Sequence, residues 1–211
     1  MTPKHLFYQK RGQLLLSNLN KRHFEAYYCA DKAEALEKAL ALIPTGAVVG
    51  WGGALSAQQI GLMDAIRTEE YCVLDRDTCN SPEEREEMQL RCLSSDVFIM
   101  GANALSLDGQ MVNIDGNGNR VAALAYGPKA VLVIAGMNKV ADDLEGAYRR
   151  ARQIAAPTNE QRFQLPLPCN STGSCFDCTS TSCICNQIVI TRNCHPAGRI
   201  KLIIVGEDLG F

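Results

Sequence analysis

The sequence predicts an α/β protein built on a Rossmann-like, mostly parallel sheet with helices on both faces. Two observations carry the class. Short apolar runs that do not alternate with polar residues ("AVVG", "DVFIMG", "AVLVIAG") have the pattern of strands buried on both faces. Capped amphipathic stretches separate those runs, as crossover connections between parallel strands require. A third observation sets one region apart: six of the ten cysteines fall between residues 168 and 195. The sequence therefore divides into a core (1–160), a Cys-rich loop (161–195) and a C-terminal strand returning to the core (196–211).

Taken in order, Asp31 and Glu34 form a capping-box pair, and Leu36, Leu40 and Ile43 recur at helical spacing behind them. Pro44-Thr45-Gly46 ends this helix, "AVVG" is a strand and "WGGALS" a loop. Ser56 with Gln59 is expected to cap the next helix, whose apolar side carries Ile60, Met63 and Ile66. "YCVL" is a strand; Ser81-Pro82-Glu83-Glu84 then supplies an N-cap, a proline at the first helical position and a capping-box acid for a helix to about Ser94. "NALSLDGQMVNIDG" reads as two β segments around the hairpin dipeptide Asp108-Gly109. "NRVAALAYG" is a short helix, "AVLVIAG" a strand and "VADDLEGAYRRARQIA" a helix. Beyond Pro157 periodicity is lost, and "QIVIT" and "RIKLIIV" are expected to pair as a C-terminal β hairpin. There is no internal repeat.

Composition narrows the function classes. The chain has 211 residues, 46% hydrophobic and 21% charged, enough for one core with a small appendage. A net charge of −2 with mixed signs, and no aromatic interleaving, excludes a basic nucleic-acid patch. The N-terminal apolar run is too short for a signal peptide, and no stretch approaches the roughly 18 apolar residues of a membrane span. A cytoplasmic, reducing setting is the expectation, where clustered cysteines hold metal or do redox work more often than they form disulfides. Cys29, Cys72, Cys79 and Cys92 are scattered and read as small buried hydrophobes.

"GWGGALSAQQIGLMDAI", "NALSLDGQMVNIDGNGNRVAALAYGPKAVLVIAGMNKV", "PCNSTGSCFDC" and the terminal "IIVGEDLGF" resemble the lactate-utilisation (LUD) domain family, from about residue 50 to the end. The long central motif is specific; the glycine loop alone is weak. The resemblance implies a fold similar to the sugar-phosphate isomerase and CoA-transferase superfamily. It also implies a part in bacterial lactate oxidation beside iron–sulfur partner proteins. It names a process better than a reaction, so the chemistry must be argued from sites.

Cys169, Cys175, Cys178 and Cys185 have the spacing C-x5-C-x2-C-x6-C, and the resemblance covers these four. Soft thiolates select zinc or an iron–sulfur cluster, and only one C-x2-C knuckle is present, which fits a cluster, 4Fe–4S first, better than structural zinc. Zinc is the alternative metal, and disulfides or free thiols the alternative to both. Cys183 and Cys194 are extra, and His195 adjoins Cys194.

Gly50, Gly52, Gly53 and Ser56 lie between a strand and a helix, where exposed N–H groups form an anion site; a tight turn needing positive φ is the bland alternative. Trp51 is a stacking platform or a lid over the core, with the ligand side favoured. Asn119 as an N-cap followed by Arg120 has the means to hold a carboxylate or phosphate. In isomerases of the resembling fold this region brings an Asp and a "G-N-K"-type segment to substrate, which directs attention to Lys129, Asn138 and Lys139. Asp108 or Asp115 becomes an acid or base if burial raises its pKa. Asn103 and Asn113 join the ligand-binding candidates.

Three functions follow. The first is an iron–sulfur oxidoreductase component in the use of lactate or a similar small hydroxy acid, with the loop passing electrons to iron–sulfur or flavin partner proteins. The second is an isomerase- or transferase-like enzyme on a small phosphorylated or carboxylate metabolite, with a structural metal. The third is a non-catalytic redox-sensing subunit. Each takes a small anionic metabolite or its partners as ligand, and each is compatible with a homo-oligomer.

Overall fold

The computed structural model describes residues 2–211. Its main sheet has six strands, all parallel: β1 (Glu25–Cys29), β2 (Val48–Gly52), β3 (Cys72–Leu74), β4 (Val97–Gly101), β7 (Ala130–Gly136) and β10 (Ile200–Val205), in the order β1-β10-β7-β4-β2-β3. A second, mixed sheet of four strands joins β5 (Ala104–Ser106), β6 (Met111–Asp115), β8 (Val140–Ala141) and β9 (Gln187–Thr191) in the order β8-β5-β6-β9. No helix among the described residues is long and apolar enough to cross a membrane.

Burial on both faces explains the unbroken apolar strands. In β4, Phe98 and Met100 enter one core with Leu15 and Leu19 of α1 (Pro3–Lys21), while Val97 and Ile99 enter the other. That second core contains Ala35 and Ala39 of α2 (Lys32–Ala41), Ala57 of α3 (Leu55–Gln59) and Leu62 of α4 (Leu62–Ile66). Successive side chains of a strand point to opposite faces, so a central strand must be apolar throughout. Cys92 of α5 (Pro82–Cys92) and Leu124 of α6 (Asn119–Ala125) complete the first face. A third cluster lies between the small sheet and α7 (Leu144–Arg150), which continues through a π turn at Ala151–Ala155 into α8 (Ala156–Glu160). A single helical turn, α9 (Pro168–Thr172), opens the Cys-rich loop.

Three expectations are corrected. The terminal runs are strands but do not form a hairpin: β9 pairs antiparallel with β6, and β10 inserts between β1 and β7. The reason lies in the side chains of β10, where Leu202 and Ile204 fill one core and Ile203 and Val205 the other, a demand that only the middle of the large sheet meets. Ser56 is not a cap, since α3 begins after Ala54 without a side-chain cap bond and Ser56 is buried. Cys29 and Cys92 are buried as expected, whereas Cys72 is exposed at the sheet edge and Cys79 half-buried.

Because Ile203 is fully buried at the centre of the sheet, Ile203→Ala is expected to destabilise the fold by about 2–5 kcal/mol through lost transfer energy and a residual cavity. Urea unfolding should show the loss as a lower midpoint with an unchanged slope.

Candidate functional site

The chain leaves β2 outward to β3 and then returns past β2 to form β4 on its other side. The connections after β2 and β4 therefore diverge, and a crevice opens at the carboxyl ends of these strands. A cavity of about 460 Å³ lies there; Gly53, Ser56, Asn103, Asp115, Arg120 and Lys139 are among its lining residues.

Lys139 closes a 3₁₀ turn directly after β7 (Met137–Lys139) and is only 5% exposed. Its Nζ donates to Ser56 Oγ at 3.2 Å and to the Ala102 carbonyl at 3.0 Å, and it has no carboxylate partner among the described residues. Burial, with added repulsion from Arg150 and Arg120, pushes its pKa down from 10.5 to about 7. Arg120 is half-buried and lines the same cavity. Its Nη2 donates to Asn103 Oδ1 at 3.0 Å and to the Ile114 carbonyl at 2.5 Å, and its Nε stands 3.9 Å from Asp115. Burial lowers the Arg120 pKa despite the attraction of Asp115, but a guanidinium stays charged at any working pH. Arg150 ties two chain segments together, donating from Nε to the Asn138 carbonyl at 2.9 Å and from Nη1 to the Asn103 carbonyl at 2.6 Å.

Five cationic side chains (Arg76, Arg85, Arg120, Lys139, Arg162) and two acidic side chains (Asp77, Asp115) line the cavity, with Phe211, whose backbone oxygen accepts from Arg150 Nη1 at 3.3 Å. The Asp115 carboxylate is spent on the backbone: it accepts from the amides of Gly116, Arg120 and Val121 at 3.0–3.1 Å. It thus takes the capping role expected of Asn119, which instead is the first residue of α6, after Gly118. The cleft is left with excess positive charge in a concave, partly desolvated setting, which selects anions. Glycines allow the close packing. Gly53 has φ +57°, and a Cβ there would lie 3.2 Å from Arg120 Nη1; a Cβ on Gly101 would lie 3.3 Å from the Gly53 carbonyl and 3.9 Å from Lys139 Nζ.

The remaining candidates fall elsewhere or serve the scaffold. Gly50 packs on α5, where a Cβ would meet the Cys92 sulfur at 2.5 Å, and Gly52 packs between Phe98 and Arg120. Asn138 Oδ1 accepts from the Leu209 amide at 3.0 Å, holding the C-terminal segment. Lys129 lies at the other end of β7, exposed and paired with Asp96 at 2.7 Å, because residues before a parallel strand lie at the edge opposite the crevice. Asp108 sits at the β5–β6 turn against Arg22, at 2.9 Å. Burial would raise its pKa, but hydrogen bonds from Ser106 and Gln110 and the charge of Arg22 outweigh it and hold the carboxyl below its ordinary range. That is the opposite of what an acid catalyst needs. Asn113 is fully buried in β6 with both amide atoms unpartnered, away from the cavity lining. Trp51 is buried, with Arg67 stacked 5.5 Å from its ring, and acts as a core lid instead of a ligand platform.

A smaller cavity, about 50 Å³, is lined by Cys169, Cys175, Cys178, Cys183 and Cys185. The Cys178 and Cys183 sulfurs are 3.7 Å apart, and the Cys185 amide donates to Cys183 Sγ at 3.4 Å. Arg152 Nη2 donates to Cys175 Sγ at 3.5 Å and to Asp177 at 2.5 Å. Burial, followed by the neighbouring Cys183 and Cys175, pushes the Cys185 thiol up to about 12; burial also raises Cys169 and Cys178. Among the described residues no three His, Cys, Asp or Glu side chains are arranged as they stand to hold a metal ion. The donor set nonetheless fits a soft metal, since five sulfurs face one small space and metal binding itself releases thiol protons. Cys194 is separate and structural: buried, it accepts from the Ile200 amide and donates to the Pro196 carbonyl, each at 3.2 Å, while His195 is exposed. The two cavities share Ile114 and Ile184 as a common wall.

The LUD domain model matches residues 13–205. The chain belongs to the LUD-domain family. Among solved structures, the LUD domain here is similar to a DUF162-family protein from Deinococcus radiodurans, with a TM-score of 0.53 at 12% identity, covering 94% of this chain and 97% of that one. That likeness shows the shared fold alone. A slighter likeness, to eIF2B delta from Chaetomium thermophilum, has a TM-score of 0.35 at 11% identity over 66% of this chain and 57% of that one. No curated protein matches.

Sequence reasoning missed Arg76, Arg85, Arg150 and Arg162 in and around the cleft, and left Cys183, which lines the thiol pocket, outside the four proposed ligands. The run "AYRRARQ" carries three arginines on a helix with one acid a turn earlier, Glu145, which engages Arg149. The surplus was the readable signal.

In the unfolded chain Lys139 keeps its proton until about pH 10.4, whereas in the fold it loses it near pH 7. Between those values the unfolded state holds more protons, so stability rises with pH across this window. Lys139→Met is accordingly expected to stabilise the fold at pH 6 by on the order of a few kcal/mol, with the gain shrinking as pH rises from 7 to 10. Equal gains at pH 6 and pH 10 in denaturant titrations would contradict this.

Proposed function

We propose that this LUD domain binds a small carboxylate, lactate or a similar hydroxy acid, in the cleft at the carboxyl ends of β2, β4 and β7, and that the neighbouring thiol pocket holds an iron–sulfur cluster. The observation that carries the proposal is Lys139: a buried amine, flanked by Arg120 and Arg150 and without a counter-anion, in a cavity that shares a wall with five cysteines. In this account Arg120 takes the substrate carboxylate by charge-assisted hydrogen bonds. Lys139, neutral for part of the time at physiological pH, accepts the hydroxyl proton. Asn103 and Asp115 hold Arg120 in place. Cys169, Cys175, Cys178 and Cys185 are the proposed ligands, with Cys183 at hand beside Cys178. A cluster held by these cysteines would supply one-electron transfer, with iron–sulfur or flavin partner proteins as the proposed electron acceptors.

A second proposal keeps the cleft and removes the redox role: an isomerase- or transferase-like enzyme with zinc or a cluster as a clasp for the loop. Its support is that an amine titrating near neutrality beside a guanidinium is sufficient for proton transfer without an electron carrier.

Iron, sulfide and zinc content of anaerobically purified protein, with its visible spectrum, separates the two. Iron and sulfide with broad thiolate-to-iron absorption are expected; colourless protein holding zinc would leave the second proposal standing. In either case Arg120→Ala is expected to weaken carboxylate binding about tenfold or more without changing metal content. Unchanged binding would remove Arg120 from the site.

A further inference from the structure

We infer that Lys139 forms a covalent imine with the carbonyl group of a small 2-oxo acid whose carboxylate is held by Arg120. The inference rests on the proposed anion cleft and adds to it a substrate class and a covalent step. A neutral lysine amine has two hydrogens and one lone pair. Lys139 Nζ has two protein acceptors within reach, Ser56 Oγ at 3.2 Å and the Ala102 carbonyl at 3.0 Å. Both hydrogens are thereby placed and the lone pair is left uncommitted in a residue that lines the cavity. A general base needs only that lone pair; a nucleophile also needs an electrophile delivered to it. Arg120 supplies the delivery. Its Nη2 is occupied by Asn103 and Ile114, while Nη1 donates to no protein atom among the described residues.

The two side chains converge on adjoining backbone. Arg120 Nη1 would stand 3.2 Å from a Cβ on Gly53, Lys139 Nζ 3.9 Å from a Cβ on Gly101, and that same Cβ 3.3 Å from the Gly53 carbonyl. Guanidinium and amine line the same cavity, and the charge of Arg120 reaches Lys139, so a 2-oxo acid, with its carboxylate and carbonyl on adjacent carbons, has a partner for each group in one cleft. Charge favours the free amine: Arg120 faces Lys139 from α6 and Arg150 from α7. The cleft carboxylates are engaged, Asp115 by three backbone amides and Asp77 by Arg67 and Arg76. Desolvation beside other cations is the setting that activates lysine as a nucleophile.

The step balances without an oxidant. The Nζ lone pair forms a C–N bond to the carbonyl carbon, and the carbonyl π pair moves to oxygen, which takes up a proton as nitrogen loses one. The resulting carbinolamine then expels its hydroxyl as water and becomes the imine, which a solvent proton converts to the iminium.

The test uses the full chain with pyruvate and sodium cyanoborohydride, which reduces an iminium to a stable secondary amine, followed by peptide mapping. Pyruvate binding is followed in parallel by calorimetry. The expected result is one dominant adduct on Lys139, whose yield rises with pH through about 7 while surface lysines react only at much higher pH. Lys139→Arg should abolish that adduct and Arg120→Ala should reduce it about tenfold or more. Pyruvate that binds to the wild-type chain but gives adducts only on surface lysines would overturn the imine and leave the anion cleft intact. Neither binding nor trapping would overturn both. The iron and sulfide analysis stands apart from these outcomes, because trapping requires no metal.

Discussion

Taking an ammonium group out of water without giving it a carboxylate costs several kcal/mol, and Lys139 is placed so that this cost is incurred. Two hydrogen bonds, to Ser56 and Ala102, recover part of it; Arg120 and Arg150 add repulsion. No other feature of the fold demands such a residue there, since an aliphatic side chain would fill the same space more cheaply. The surrounding architecture is arranged around that exception. Three strand ends supply its neighbours: β2 leads to Gly53 and Ser56, β4 to Ala102 and Asn103, and β7 to Lys139 itself. An unpaired cation at a switch point is most stable when an anion arrives, so binding and stability are coupled through one side chain.

The arginines extend the same logic into the scaffold. Arg150 bonds the Asn138 and Asn103 carbonyls, and Arg120 bonds the Asn103 side chain and the Ile114 carbonyl. Arg150 thereby fastens backbone just beyond β4 and β7, and Arg120 ties strand β6 to the segment after β4, while both lend their charge to the cleft. Gly116 brings the Cys-rich loop close, since a Cβ on it would lie 3.4 Å from the Ile184 backbone. The thiol pocket is thus a neighbour of the cleft through Ile114 and Ile184, close enough for events in one to be felt in the other.

Much of the main sheet was legible because its strands are buried on both faces. "AVLVIAG" and "DVFIMG" admit no amphipathic alternative, and the Asp108-Gly109 turn marks the β5–β6 hairpin plainly. Pairing was less legible. Adjacent apolar runs suggested a terminal hairpin, but the double-sided burial of "IKLIIV" required the interior of the large sheet, and only tertiary packing expresses that demand. Strand polarity separates Lys129 from Lys139: both flank β7, yet only the residue after the strand reaches the crevice. Asp115 against Asn119 is a similar case, because the carboxylate four residues upstream reaches the helix amides that a local cap would have taken. Spacing drew four cysteines together; that Cys183 joins them and Cys194 does not depends on how the loop folds back on β6.

The protonation state of Lys139 is the quantity on which this account turns, and it is directly observable. NMR titration of the protein with ¹³Cε-labelled lysine, assigned with Lys139→Arg, would follow that single group with and without a bound carboxylate such as lactate. An apparent pKa near 7 in the free protein, moved upward by the bound anion, is the predicted result. A Lys139 that titrates near its ordinary 10.5 and does not respond to carboxylates would contradict the account.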